Sequence, residues 1–230
     1  MSVTLSVILP SYNEEENLRL LVPRIRHACE ALTDGFELLV VDTMTPMDGT
    51  LDLCAEQGIR YLKRTGGNAY GDAIRTGIAA AQGRYIIFMD ADGSHPPHFL
   101  ADLFARRDEA DIVVASRYVR GGFTENSAAL VWMSWIVNFG YRLVLGLKCK
   151  DVSNSFKLYP GPALKRLTLR CDNFDIVEEI LFKMMRQNRA FRILEVPFSF
   201  KKRMFGQTKR NLLAFIFSYV VTLFRLRFGR

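Results

Sequence analysis

Two aspartates, Asp90 and Asp92, stand one residue apart where the apolar run "YIIFM" gives way to "GSHPP". In extended backbone alternate side chains share a face, so both carboxylates can point one way with Ala91 opposite. Like charges this close disfavour each other unless a cation lies between or beside them. A hard divalent ion such as Mg2+ or Mn2+ takes one or two carboxylates and completes its shell with phosphate oxygens. A plainer arrangement is a turn at Asp92-Gly93 with Asp90 capping it. Three residues alone do not choose between the two.

The elements that must carry the pair favour a ligand site. "LSVILP" (5–10) and "FELLVVD" (36–42) read as buried strands with a helix over 15–32 between them. "IRYLKR" reads as a third strand, "YGDAIRTGIAAAQ" as a helix closed by Gly83, and "RYIIFMD" as a fourth strand. "ADIVVASR" follows after another helix. Continuous apolar runs alternating with helices predict an α/β fold, a mostly parallel central sheet covered on both faces. Such sheets bind ligands beyond the carboxyl ends of their strands. The polar segments "SYNEEE", "DTMTPMDGT", "DADGSHPP" and "SRYVRGG" all fall at those ends.

A chain of 230 residues, 49% of them hydrophobic, supports one sizeable core. Its four cysteines form no CxxC pair and are expected as reduced thiols, neither a disulfide framework nor a zinc site. No basic leader precedes the first apolar run, so no signal peptide is expected. The net charge of +7 calls for an anionic partner. Basic residues crowd the last thirty positions. No motif or aromatic-interleaved basic groove points to nucleic acid. "SAALVWMSWIVNFGYRLVLGL" (127–147) has the apolarity of a span, but Asn138, Arg142 and its glycines favour a buried or interfacial helix. The stretch 212–224 is too short to cross a bilayer and is expected to lie along a surface. The organisation expected is one domain over 1–210 with a short apolar-basic tail over 211–230.

In order along nearly the whole chain, "LPSYNEEEN", "VVD…DGT", "MDADGSHPP", "ASRYVRGG", "DVSNSFKLY", "EVPFSFKKR" and "RMFGQTK" resemble the family 2 glycosyltransferases of the GT-A fold. Within that family the chain looks like the dolichol-phosphate mannose synthase branch. The resemblance implies a Rossmann-like sheet with apolar or amphipathic C-terminal helices. It implies an inverting hexosyl transfer from a nucleotide-diphosphate sugar to a polyprenyl phosphate, with Mn2+ or Mg2+. GDP-mannose is the first donor implied and UDP-glucose the next. Pro10, Tyr12 and Glu14 would flank base and ribose, with Asp42 nearby. Asp90 and Asp92 would hold the metal and diphosphate, with Ser94 a third candidate ligand. His95 would either ligate or pack. Arg117 would bind the acceptor phosphate, and Arg203 and Lys209 would close over the diphosphate.

Two departures stand out. The usual VDDxSxDGT is "VDTMTPMDGT" here, with Thr43 for the second aspartate and one extra residue before Asp48. "LVWMSWIVN" lacks a basic residue that many relatives carry before the matching serine, leaving Arg117 and Arg120 for the acceptor phosphate. A phosphate acceptor is already anionic and needs no strong base. A hydroxyl acceptor, the competing reading, would need Glu178 or Glu179, on the helix "DIVEEILFKMM", as base. A non-catalytic nucleotide-binding scaffold is the third possibility. The basic tail and the lipid acceptor imply a cytoplasmic, peripheral location on a membrane, alone or with a membrane partner protein.

Overall fold

The computed structural model describes residues 2–205 and 212–229. The chain opens with β1 (Leu5–Pro10), α1 (Glu15–Glu30), β2 (Phe36–Asp42), α2 (Thr50–Glu56), β3 (Arg60–Lys63), α3 (Tyr70–Ala80) and β4 (Tyr85–Phe88). Then come α4 (Phe99–Ala105), β5 (Ile112–Ser116), β6 (Phe123–Thr124), α5 (Ala128–Leu145), β7 (Lys157–Pro160) and the one-turn α6 (Gly161–Leu164). α7 (Ile176–Gln187), β8 (Ile193–Pro197), β9 (Ser199–Phe200) and α8 (Leu212–Phe228) complete it.

Seven strands form one sheet in the order β3-β2-β1-β4-β7-β5-β8, and β6 pairs β9 in a small second one. The large sheet is parallel except for β7, which runs antiparallel to β4 and β5. The strands are apolar on both sides because both faces are covered. Ile8, Leu39, Val41, Ile86, Phe88 and Val114 pack on one face with α3 and α7. Val7, Leu9, Leu38, Val40, Ile87 and Val113 pack on the other with α1 and α4. Each aliphatic side chain so buried contributes roughly 1.5–3 kcal/mol. Edge strand β3 ends in exposed Arg60 and Lys63, charges that discourage pairing with another chain.

Two local expectations need correction. Helix α3 ends at Ala80, and Ala81 is already extended, so Gly83 closes no helix. Gly83 is instead a close approach: its N–H donates to Ser6 Oγ at 2.8 Å, and a Cβ there would lie 2.5 Å from Ser6 N. The fourth strand is also shorter than expected, ending at Phe88.

Helix α5 is built inside out. Its two buried residues are Asn138 and Tyr141, while Trp132 (67% exposed), Trp135, Ile136, Phe139 and Leu143 (71%) face outward. Asn138 donates to Ser134 O and to Ser153 Oγ, and the Tyr141 hydroxyl donates to Tyr219 O of α8. Helix α8 docks through buried Tyr219, Thr222 and Leu226 and turns Val220, Val221, Phe224 and Phe228 outward.

Candidate active site

Asp90 and Asp92 lie on a turn rather than in the extended strand the sequence implied. The Asp92 carboxylate accepts at Oδ1 from Ser94 N (3.0 Å) and Ser94 Oγ (2.6 Å), folding the chain back on itself. Gly93 has φ +84°, and a Cβ there would sit 2.5 Å from Met204 Cγ, so the turn demands glycine twice over. Ser94 is buried and its hydroxyl is committed to Asp92, which makes it a support for that carboxylate rather than a third ligand.

Asp90, 22% exposed at its side chain, accepts from Ser155 Oγ at 3.0 Å through Oδ1. Its backbone N–H donates to His95 Nδ1 at 3.0 Å, which puts the imidazole proton on Nε2, 3.8 Å from Asp90 Oδ2. An Nε2–H is no metal ligand. His95 is fully buried, stacks on Phe156 at 4.6 Å, and burial lowers its pKa, so it is a neutral packing residue that pins the strand end. Oδ2 of Asp90 and Oδ2 of Asp92 remain for a ligand: two hard oxygens, with no cluster of three His, Cys, Asp or Glu among the described residues. That donor set fits Mg2+ or Mn2+ finished by phosphate oxygens and does not fit a closed zinc site.

A second chain segment is laid across this turn. Met204 N donates to Asp92 O (2.8 Å) and Lys201 N to Ser94 O (3.1 Å). The result is to bring Arg203 against Glu14, with Nη2 2.8 Å from Oε1 and 3.2 Å from Oε2. Asn17 completes the corner by donating to Glu14 Oε2 and accepting from Phe205 N. Burial raises the Glu14 pKa, opposed by the Arg203 guanidinium and with a smaller upward push from Asp92. Glu14, Asp92 and Arg203 thus share one corner. Lys209 lies outside the described residues.

At the other end of this edge, Pro10 closes β1, and the half-exposed Tyr12 has the Arg64 guanidinium 5.8 Å from its ring centre. Arg64 is buried and donates to the carbonyls of Ser11, Asn68 and Ala69, tying the ends of β1 and β3 together. Asp42 is fully buried and accepts from the Tyr61 hydroxyl at 3.1 Å. Its carboxylate is therefore shielded from solvent, and burial raises its pKa. The unaltered Asp48-Gly49-Thr50 end of the "VDTMTPMDGT" loop has a clear local role. Asp48 accepts from Glu15 N (2.9 Å) and Thr50 N (3.0 Å), while Gly49 N donates to Glu15 Oε2 (2.9 Å), locking the starts of α1 and α2 together.

Arg117 departs most from the sequence reading. Its side chain is 9% exposed, and its Nε and Nη2 grip both oxygens of buried Asp151 at 2.8 and 2.7 Å. Nη2 also donates to Ser153 Oγ. Burial would lower its pKa, but Asp151 outweighs that and raises it. The charge intended for an acceptor phosphate is already neutralised. Arg120 is exposed nearby.

Glycosyl transferase family 2 matches residues 6–168. The chain belongs to that family. Over 217 residues it is 33% identical to the polyprenol monophosphomannose synthase of Mycolicibacterium smegmatis, covering 89% of this chain and 80% of that one. It is 32% identical to the dolichol-phosphate mannosyltransferase of Pyrococcus furiosus, over 96% of this chain but only 63% of that relative's length. A solved glucosyl-3-phosphoglycerate synthase of Mycobacterium tuberculosis, in complex with Mn2+ and UDP, aligns with a TM-score of 0.71 at 19% identity. The alignment covers 98% of this chain and 80% of that one, a likeness of fold, the GT-A architecture.

Neither acid proposed as base for a hydroxyl acceptor faces solvent in this family 2 glycosyltransferase. Glu179 is capped by Arg170 N, Cys171 N and Lys183 Nζ. Glu178 is 0% exposed, and burial, opposed by the Lys157 charge, pushes its pKa up to about 8. The folded protein therefore holds a proton on Glu178 that the unfolded chain releases near pH 4.5. Stability is lost as pH rises from there to about 8. Glu178→Gln is expected to keep turnover and to flatten this loss, giving a higher Tm than the parent above pH 8 but not at pH 5; melting curves across that range check it. Abolished turnover in a folded Gln variant would restore Glu178 as a base.

Sequence reasoning missed Ser155, Asp151 and Arg64 in the transferase. The first two lie in "DVSNSFKLY", a segment read for its resemblance and not for its individual side chains. Arg64 ends the run "IRYLKR", where nothing local marks it as more than the last residue of a strand.

Proposed function

We propose that this glycosyltransferase moves a hexose, mannose from GDP-mannose as the first candidate, onto the phosphate of a polyprenyl lipid with inversion. The observation that carries this reading is the corner where Asp90, Asp92, Glu14 and Arg203 meet. Asp90 and Asp92 would hold Mn2+ or Mg2+ through their uncommitted oxygens. Bound there, the ion would supply charge neutralisation to the departing nucleoside diphosphate. Arg203, presented by the segment hydrogen-bonded to the Asp92 turn, adds a fixed positive charge at the same place. Glu14 and Asn17 hold that guanidinium and its loop in position before the donor arrives. Pro10 and Tyr12 border the base and ribose, over a floor braced by Asp42 and Arg64. Lys209 joins them in this reading. An acceptor phosphate oxygen is anionic near neutral pH and attacks the anomeric carbon without a base.

A membrane-borne acceptor accounts for α5. With its apolar side chains outward and Asn138 and Tyr141 fixed to Ser153 and α8, this helix is tied to the domain by one face and lies against a bilayer surface. The exposed apolar side of α8 extends the same contact. The dolichol-phosphate and the polyprenol monophosphomannose in the names of the two relatives support the reading.

Incubation with radiolabelled GDP-mannose or UDP-glucose, polyprenyl phosphate and Mn2+ should put label into the organic phase. Label passing only to water-soluble glycans would refute the lipid acceptor. Ser155→Ala is expected to weaken binding of Mn2+ with GDP about tenfold, from the loss of one hydrogen bond to a charged group. Titration calorimetry without acceptor measures that directly.

A further inference from the structure

Two cations at and beside the end of α5 lie outside the corner of Asp90, Asp92, Glu14 and Arg203. Arg142, in the last turn of α5, and Lys150, just before the buried Asp151, line a cavity of about 240 Å³ with Tyr118, Asn138, Trp135 and Phe139. Neither the Arg142 guanidinium nor Lys150 Nζ has an ion pair or hydrogen bond among the described residues. The carboxylates close by are committed elsewhere. Asp151 is gripped by Arg117, and Glu195 accepts from Ser116 Oγ and from the backbone N–H groups of Lys150 and Asp151. No acid lines the cavity, and neither do Asp90, Asp92, Glu14 or Arg203.

Both are exposed, and two cations without a protein partner on one polar hollow make it a place where an anion is favoured. The walls name the kind of anion. Trp135 and Phe139 stack at 5.5 Å and belong to the outward stripe of α5, so a ligand in the hollow lies level with interfacial aromatic rings. We propose that Arg142 and Lys150 form a binding site for the phosphate headgroup of an anionic phospholipid, separate from the acceptor lipid. Arg142 and Lys150 donate to phosphate oxygens while Trp135 and Phe139 enter the acyl boundary. This rests on reading α5 as the membrane-facing helix and deepens it: the aromatic stripe supplies depth, and the two cations select an anionic leaflet and set the protein's orientation on it.

The test is flotation of the full chain with vesicles of phosphatidylcholine alone and of phosphatidylcholine mixed with phosphatidylglycerol, with no prenyl phosphate in either. The parent should prefer the anionic vesicles, and Arg142→Ala with Lys150→Ala should lower partitioning into them by roughly 30-fold. Binding to the neutral vesicles should stay unchanged. Arg166→Ala with Arg189→Ala removes the same charge from exposed positions outside the cavity and should leave the preference largely intact. Equal losses in the two double variants, or an undiminished preference in the first, would overturn the headgroup site while leaving α5 as the docking helix. Failure of the parent to float with either vesicle would overturn both.

Discussion

Asp92→Asn is expected to lose turnover by about 10²–10³-fold, about 2.7–4 kcal/mol of transition-state stabilisation, while the protein stays folded. The amide keeps the shape of the side chain and an oxygen that can still accept from Ser94 N and Ser94 Oγ, so the turn survives. What goes is the negative charge beside Asp90. A carboxamide oxygen is a weaker ligand for a hard cation, and the diphosphate loses its counter-charge at the moment it departs. Initial rates at saturating donor and acceptor, with circular dichroism of the same preparation, give the result. A variant turning over within a few-fold of the parent would remove Asp92 from the reaction. Activity that fell in step with unfolding would show the carboxylate to be only a turn-former.

Asp151→Ala is expected to destabilise the fold by about 3–5 kcal/mol, because it strands a buried guanidinium and removes the acceptor for Arg117 N. For a chain of this size that is a fall in Tm of roughly 6–20 °C. Replacing both partners, Arg117→Met with Asp151→Leu, should recover more than half of the loss, since no uncompensated charge remains. Thermal melts of the three variants decide it. If Asp151→Ala melts with the parent, the pair is not a structural clamp, and Arg117 regains the acceptor phosphate as a partner.

The first half of the fold was legible because its strands are long apolar runs. "LSVILP" and "FELLVVD" coincide with β1 and β2 residue for residue. In the second half the helices were legible too, "SAALVWMSWIVNFGYRLVLGL" as α5 and "DIVEEILFKMM" as α7, but the strands after β5 were not. β7 is four residues long and begins with a lysine; Lys157 is fully buried and donates to the carbonyls of Val152 and Asn154, so a charge marks the interior where charge normally marks the surface. β8 is mixed in character and half exposed, with nothing periodic to betray it.

The site divides the same way. The closeness of Asp90 to Asp92 is a matter of adjacent residues, visible in any listing of the chain. The partners of Arg117, Arg203 and Asp90 are 34, 189 and 65 residues away, and only the folded sheet brings them together. Arg117 looked available because its type and place in "SRY" are right for a phosphate. Its charge state within the fold is decided by Asp151, for which local spacing carries no signal. Glu178 and Glu179 erred in the opposite direction, since acids at a helix start are normally wet and these are covered by the neighbouring helix and loop.

The reversed direction of β7 reaches further than the sheet diagram. A strand running against its neighbours begins on the rim where they finish, so the residues leading into it come to that rim from the other side. Asp151, Ser153 and Ser155 arrive in this manner and interlock with Arg117 and Asp90, which leave β5 and β4. Incoming and outgoing loops are laced together there like facing teeth. An insertion between 148 and 155 would therefore shift Asp90 without touching its own loop, and lengthening either side would detune the other.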